Sequence, residues 1–415
     1  MTSERGRSRG PFSVLGPVAW RKVFFCWRGA MVARTPAMTP QTDIAAMNAP
    51  VAKSVPLSAV PPEVWDAVAP GTSRSPMSLR LWVDCSARAY GVADGARALV
   101  VGDPAAPRAV LPLVRLPGLA GRHFFAGNEG GGVSVACADD DAMAALARGV
   151  LRFGYPVNLG HVPTGSRLRH HLEAGRPGRA VVVTKPLATP LWPFIELDAS
   201  WSDPACHVPR SMTTSIRRRE RQLRALGDLR LEFLTPTENE VHAVVERAVA
   251  VEALGWKRAT GIALAEDTRQ AAFYRTYTRA LARHGRLHVT FLTLDGAALA
   301  MSLGEIHGGV YWAYKTGYAP EFRRYGPGIL MQYHLIRHCA ERGLNRFDFQ
   351  GRQDGFKRTW TDKAIPATSL RVYPLNPRGM AAMAADAAGH VLARGSGGGA
   401  EAARTVAGTG VEASS

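Results

Sequence analysis

An α/β fold of two units, the second a mixed sheet with a crossover helix, is predicted by three observations on this sequence. Its 415 residues, 46% of them apolar, suffice for two ordinary domains with flanking tails. In the second half the apolar pattern runs in helical period, changes to strand period, and returns to a helix and a last strand. A glycine loop stands between the last long strand and that helix, the layout of a crossover connection in a mixed sheet.

Residues 1–55 read as a disordered basic extension, with eight Lys or Arg against two acids and no apolar periodicity. Met31, Met38 and Met47 each offer an alternative start. The first unit spans 56–200. There Ala98–Val101 and Ala109–Val114 read as strands about a Pro-rich turn, Ala142–Phe153 as a helix through Met143, Leu146, Val150 and Leu151, and Pro156–Leu159 as a further strand. The second unit spans 201–375. Ser215 is placed to cap a helix from Ile216 to about Leu226, closed by Gly227, and six arginines lie between Arg210 and Arg224. Helical patterns continue at Glu238–Leu254 and Asp267–His284. Leu287–Leu294 and Ala297–Ile306 then form a hairpin about Asp295-Gly296, a dipeptide suited to a tight turn, and Val310–Tyr318 adds a third strand. A helix at Ile329–Arg342, stopped by Gly343, and a strand at Arg346–Gln350 complete the unit. From 376 onward the composition is that of a flexible tail, with a weak helical pattern at Gly379–Leu392.

The formal charge of +17 attracts phosphates of any kind, in nucleic acid, a coenzyme or anionic lipid, and charge alone does not choose among them. Five cysteines lie far apart with no C-x-x-C pair, which fits neither a disulfide framework nor a zinc ribbon and suits a reduced, cytoplasmic compartment. No run reaches the ~18–20 apolar residues of a membrane helix. The apolar stretch near the start is interrupted by Arg21-Lys22 and Arg28, unlike a signal peptide, whose charges come first.

The segment Arg323-Arg324-Tyr325-Gly326-Pro327-Gly328 lies where an extended strand gives way to a helix. The first amides of a helix have no internal partners and its dipole is positive there, so an anion is favoured. Glycines let the backbone approach a phosphate, and arginines fork onto its oxygens. A pyrophosphate fits such a loop, with Arg323, Arg324, Gly326, Gly328 and Ile329 around it.

This arrangement resembles the GNAT fold, whose coenzyme A loop has the form Q/R-x-x-G-x-G/A, and Arg323, Gly326 and Gly328 match it position for position. The wider segment is similar to the cellulose-biosynthesis acetyltransferase (CelD/BcsL-like) group, related to the FemABX peptidyltransferases. The residues that carry this are Phe273-Tyr274-Arg275, Gly285-Arg286-Leu287, Tyr314-Lys315-Thr316-Gly317-Tyr318, Pro327-Gly328, Arg342-Gly343, Phe347-Asp348-Phe349, and Gly351 with Phe356-Lys357 and Trp360. Upstream, Ser75-Pro76-Met77 and Leu111-Pro112-Leu113-Val114 are similar to the first half of the same proteins, a second GNAT-like unit without a coenzyme loop, so the resemblance implies an α/β (α+β) fold of tandem units, each a mixed sheet flanked by helices. Ala319 stands where the pattern commonly has Asp and Phe356 where it commonly has Tyr, and Pro327 removes one N–H from the loop.

The resemblance implies acyl transfer from acetyl-CoA or another acyl-CoA co-substrate to an amine by direct attack, without a metal. Such a reaction needs a neutral amine, a stabilised oxyanion and a proton for the leaving thiolate. Glu305 at the end of the second strand and Asp348 on the last are the candidate bases, and Tyr314 the candidate proton donor. Tyr311 and Tyr314 lie three apart on a strand and so point to opposite faces. Trp256, Lys257, Tyr274, Arg275 and Lys357 are the candidate substrate contacts, by resemblance; Trp256 reads equally as a core anchor and Lys357 as a solvated loop lysine. His334 and His338 have a metal-compatible spacing, but no Glu follows His334 and no third ligand stands nearby.

The leading reading is an acyl-CoA-dependent N-acyltransferase acting on a small-molecule or glycan amine, with polysaccharide or surface-glycan biosynthesis implied by resemblance alone. A FemABX-like transferase using aminoacyl-tRNA and a non-catalytic basic binding protein stand beside it. The arginine-rich helix is a solvated amphipathic face, a site for an anionic glycan or lipid-linked acceptor, or a transfer RNA contact, although it lacks the interleaved aromatics of a single-strand platform.

Overall fold

The computed structural model describes residues 52–68, 75–115, 121–127, 132–175, 179–254 and 268–395. In the first part of the chain come β1 (Lys53–Pro56), α1 (Pro62–Val68), α2 (Arg80–Ala89), β2 (Arg97–Asp103), β3 (Ala106–Arg115), β4 (His123–Phe125), β5 (Ala136–Cys137), α3 (Asp140–Arg152), β6 (Val157–Pro163), α4 (Arg167–Ala174), β7 (Ala180–Pro186) and β8 (Phe194–Glu196). The second part adds α5 (Arg210–Arg224), β9 (Leu229–Leu234), α6 (Val241–Leu254), α7 (Thr268–Arg283), β10 (Leu287–Leu294), β11 (Ala297–His307), β12 (Val310–Tyr318), α8 (Pro327–Glu341), β13 (Arg346–Asp348), α9 (Gly355–Arg358), β14 (Ala367–Pro374) and α10 (Pro377–Gly395).

These strands make two mixed sheets. One has the order β1-β2-β3-β4-β6-β14-β7, with β5 on β3, and the other the order β8-β13-β12-β11-β10-β9. Each sheet contains one parallel step, β4 with β6 and β12 with β13, and a helix, α3 or α8, makes each crossover. The repetition of that step makes the two units tandem. Their cores follow from the apolar periods: Met143, Leu146, Val150 and Leu151 of α3 bury against Leu99, Leu111 and Leu159, while Leu330, Met331, Leu335 and Ile336 of α8 bury against Tyr311 and Phe347.

The division expected at residue 200 is crossed twice. Strand β8 precedes it yet pairs with β13 in the second sheet, and β14, far beyond it, lies between β6 and β7 in the first. Lys53–Pro56, which begins inside the segment read as disordered, pairs with β2 as an edge strand. Residues 1–51 lie outside the described residues. The expected tail begins with α10, docked where Arg122 and Arg371 meet Asp386 at 2.5 and 3.0 Å. Helix α5 starts at Arg210, after Pro209, so Ser215 stands inside it. Among the described residues no helix is long and apolar enough to cross a membrane.

Helix α2 of the first unit packs on α7 of the second. Trp82, fully buried, sits edge-on to Phe273 and Tyr277 with centroids 4.9 Å from each, and 5.5 Å from Tyr314. Its indole N–H donates to Gly127 O at 2.8 Å. The aromatic group on the second sheet is thus closed by a side chain of the first unit.

Candidate functional site

Strands β12 and β13 pair only from Val310 with Arg346 to Trp312 with Asp348. Beyond that row β13 ends while β12 runs on to Tyr318, so the two strands are unpaired there, and that gap is the candidate cleft. A bulge shapes the cleft wall: Leu303 pairs with Lys315 and Gly304 with Ala313, which leaves Tyr314 as the extra residue. Tyr314 and Lys315 consequently both face α7, Tyr314 toward Tyr277 and Lys315 over the Tyr274 ring at 5.1 Å. Tyr311 faces the opposite side, stacked on Phe347 at 4.9 Å.

At the end of β12 a single 3-10 segment, Pro320–Tyr325, leads to Gly326, whose φ of 58° is left-handed, and α8 begins at Pro327. No side chain caps this helix and no acid stands in its first turn. The Ile329 and Leu330 amides return to Gly326 O, while the Gly328 N–H has no protein partner among the described residues. A Cβ at Gly328 would make an ordinary van der Waals contact with Tyr318 at 3.7 Å. A Cβ at Gly326, by contrast, would collide with Nη1 of Arg219. The α5 guanidinium therefore lies against the loop, and its Nε is buried without a partner. Arg323 and Arg324 are exposed beside it.

Helix α3, the equivalent crossover in the first unit, is built oppositely. Asp139 caps it by accepting from the Ala142 N–H at 2.8 Å, and Asp140 and Asp141 fill its first turn. Those carboxylates already satisfy the positive end and repel a phosphate. Only the second crossover helix is open to an anion.

Both candidate bases are buried and engaged. Glu305 accepts from Tyr277 at 2.6 Å and Tyr314 at 2.7 Å on Oε2, and pairs with Arg286 through Oε1. Burial first, and then the Glu305 charge, push both phenols well above the ordinary tyrosine range, so each keeps its proton. Asp348 accepts from Arg346 at 2.8 Å and from the backbone and side-chain amides of Gln350 at 3.0 and 2.7 Å. Burial raises its carboxyl pKa, against the pull of Arg346. Glu305, Trp312 and Asp348 stand in one row across three strands, so the two carboxylates are separated by roughly 10 Å, two strand spacings. They do not act together on one proton.

Of the proposed substrate contacts, Tyr274 lies beside Tyr314 with centroids 6.3 Å apart. Arg275, one residue on, turns to the exposed side of α7 and pairs with Glu246 at 2.9 Å, away from the cleft. The helical advance of one residue swings neighbouring side chains to different faces, which corrects its assignment. Lys357 donates to Gln350 O at 2.9 Å and Arg352 O at 2.7 Å, holding the turn after β13. Trp256 and Lys257 lie outside the described residues. His334 lies 3.4 Å from Glu220, while His338 stacks on Phe233 at 3.9 Å, so the two histidines serve different partners. Arg219 was not separable in sequence from the other arginines of its helix. The arginine-rich composition was its one signal.

Residues 210–358 match the family described as an acetyltransferase (GNAT) domain. The match lies within the second unit. A solved structure, FemX, shares the fold across most of the chain. FemX, 13% identical, has a TM-score of 0.53 over 78% of this chain and 98% of its own. A tandem GNAT protein from the clavulanic acid biosynthesis pathway, 15% identical, covers 79% of this chain and 99% of its own at a TM-score of 0.44. A conserved protein of unknown function from Bacteroides thetaiotaomicron, 13% identical, covers 78% and 99% at 0.47. No curated protein matches this sequence. The matched segment spans α5 through α9, so the arginine helix, the candidate cleft and the loop all lie within it.

Proposed function

We propose that this chain is an acyl-CoA-dependent N-acyltransferase, with acetyl-CoA as the first donor to test and an amine of polysaccharide or surface-glycan metabolism as the acceptor class. The observation that carries this reading is the uncapped N-terminus of α8, with the Gly328 amide unpartnered among the described residues and Arg219 lying over Gly326, next to the end of β12. A pyrophosphate at that helix end gains the dipole and the guanidinium, and the thioester arm follows the cleft between β12 and β13. The amine attacks the acyl carbon, the C–S bond breaks, and one proton passes from the amine to the thiolate. Tyr314, kept protonated beside Glu305, supplies the thiolate proton. The acceptor amine reprotonates it through water.

Calorimetry with acetyl-CoA on the full chain tests this directly. Binding is expected in the wild type and weakened at least about tenfold by Gly328→Val, whose side chain covers the unpartnered amide. A ligand bound by the native state at 100 times its dissociation constant adds about 2.7 kcal/mol of stability, so a thermal shift accompanies it. Absence of both would overturn the reading. Salt-sensitive binding of aminoacyl-tRNA without any coenzyme A response would replace it by FemABX-like transfer.

A further inference from the structure

Four non-glycine residues among those described hold a left-handed backbone: His161, Trp192, Asp295 and Gln350, with φ of 55°, 49°, 50° and 53°. Asp295 opens a hairpin turn with Gly296, where that conformation is ordinary. The other three come from separate segments and meet where the two sheets adjoin. The Trp192 N–H donates to Gly351 O at 2.7 Å, one residue beyond Gln350. The Trp192 ring presses on Gly132, where a Cβ would also come within 3.1 Å of His161 O. That same oxygen accepts from the Val133 N–H at 3.1 Å.

His161 lies in a bulge. Leu159 pairs with Leu370 and Val162 with Thr368, so Gly160 and His161 together face Ser369. A bulge takes a side chain out of the sheet's regular alternation. Left-handed L-residues cost stability and persist only where their surroundings impose them, and their gathering at one place is a mark of sites under functional constraint.

The groups presented there are complementary to one kind of ligand. Gln350 is 6% exposed, its Nε2 is spent on Asp348, and its Oε1 is buried without a partner. Burial, and then the nearby Arg352 guanidinium, favour the neutral imidazole of His161, which leaves one ring nitrogen as an acceptor. Arg352 is exposed at the same turn, held by the Lys357 bond to its carbonyl. Two acceptors suit the N–H groups of an amine. The guanidinium suits a carboxylate or phosphate.

The geometry points to an acceptor site at this seam, which takes a primary amine bearing an anionic group and contacts it through His161, Trp192, Gln350 and Arg352. For its reaction this deepens the acyl-transfer reading and rests on it; its binding does not. Gln350 follows β13 by two residues, so the amine reaches the cleft from the side of the first unit while the donor enters from α8. The first unit is thereby a part of the site through His161 rather than a support for it.

Full-length protein labelled with [15N]histidine is titrated with glucosamine 6-phosphate, 6-aminohexanoate, glucosamine and glucose 6-phosphate. The His161 signal, identified by its loss in His161→Gly, is expected to shift saturably with one or both of the anionic amines and about tenfold more weakly with glucosamine or glucose 6-phosphate. The two anionic amines separate phosphate from carboxylate recognition. Arg352→Gln should weaken the anionic amines about tenfold and leave glucosamine unchanged. Because glycine accepts φ of 55°, His161→Gly should melt no lower than the wild type while losing the anionic amine. No His161 shift with either anionic amine, equal response to Arg352→Gln by all four probes, or a lowered melting temperature in His161→Gly would each overturn the site. Acetyl-CoA calorimetry on the same samples reports on the donor loop separately, and its failure would sink the transferase reading without touching the seam.

Discussion

Gly326 and Gly328, two residues apart in one loop, differ in what a side chain would meet. At Gly326 a methyl takes a left-handed φ and collides with Arg219, so Gly326→Ala should lower stability by roughly 1–2 kcal/mol from the backbone alone. Gly328→Ala meets Tyr318 at an ordinary 3.7 Å and should leave the denaturant midpoint unchanged. Acetyl-CoA affinity should fall in both, and a pair of denaturation and calorimetry measurements separates the two effects. An unaltered affinity in Gly328→Ala and Gly328→Val alike would remove the loop from donor binding. Asp348 is a second case. Asp348→Asn keeps an acceptor for Gln350 but leaves Arg346 without its charge partner, which should cost roughly 1–3 kcal/mol. Turnover of the folded fraction should stay near normal, since every contact of this carboxylate holds protein. A large loss of turnover at an unchanged midpoint would restore Asp348 as a base.

Two helices give the site its shape from outside the sheet. Helix α5 is joined to α8 by Glu220, which lies 3.4 Å from His334 and 2.8 Å from Arg224. His334 first, then Arg224, against the opposing pull of burial, hold its carboxyl down at about 2, below the ordinary 4.5. A carboxylate depressed in the folded state stabilises the fold above its unfolded value, and that stabilisation is lost as pH falls from 4.5 toward 2. Glu220→Gln should therefore lose stability at neutral pH and show a shallower decline across that window, measured as denaturant midpoint against pH. An identical decline in the variant would place the acid sensitivity elsewhere. Helix α2 acts from the other side. Trp82→Ala empties the space between Phe273, Tyr277 and Tyr314 and should cost about 3–5 kcal/mol, as large core truncations do. Because Tyr314 loses its backing, turnover of the folded fraction should fall as well.

At the scale of the whole molecule, the exchange of β8 and β14 ties the units together. Strand β14 fills the gap between β6 and β7, pairing with one on each edge. A chain ended at Pro366 leaves those two edges without partners, and the first sheet should fail to fold even though residues 52–200 are intact. Circular dichroism of the shortened chain, with a melt compared to the full one, checks this. A cooperative melt with the full chain's strand content would show the units to be independent. The full chain should unfold in one transition, because Trp82 and the two exchanged strands couple any opening of one sheet to the other.

The meander β10–β12, its Asp295-Gly296 turn, the glycine loop and helix α8 were legible in the sequence because each is written in local terms: strand period, a turn dipeptide, a glycine turn before a helix. The α/β class followed from the same periods and the chain length, and the tandem arrangement from the family resemblance. Where β8 and β14 pair was not legible, since a short apolar run carries no mark of which sheet completes it. Nor was the choice of Arg219 among its neighbours, the burial of Glu305 under Arg286 and two tyrosines, or the meeting of His161, Trp192 and Gln350. Each of these depends on contacts between residues distant along the chain, and such contacts exist only once packing has brought the segments together.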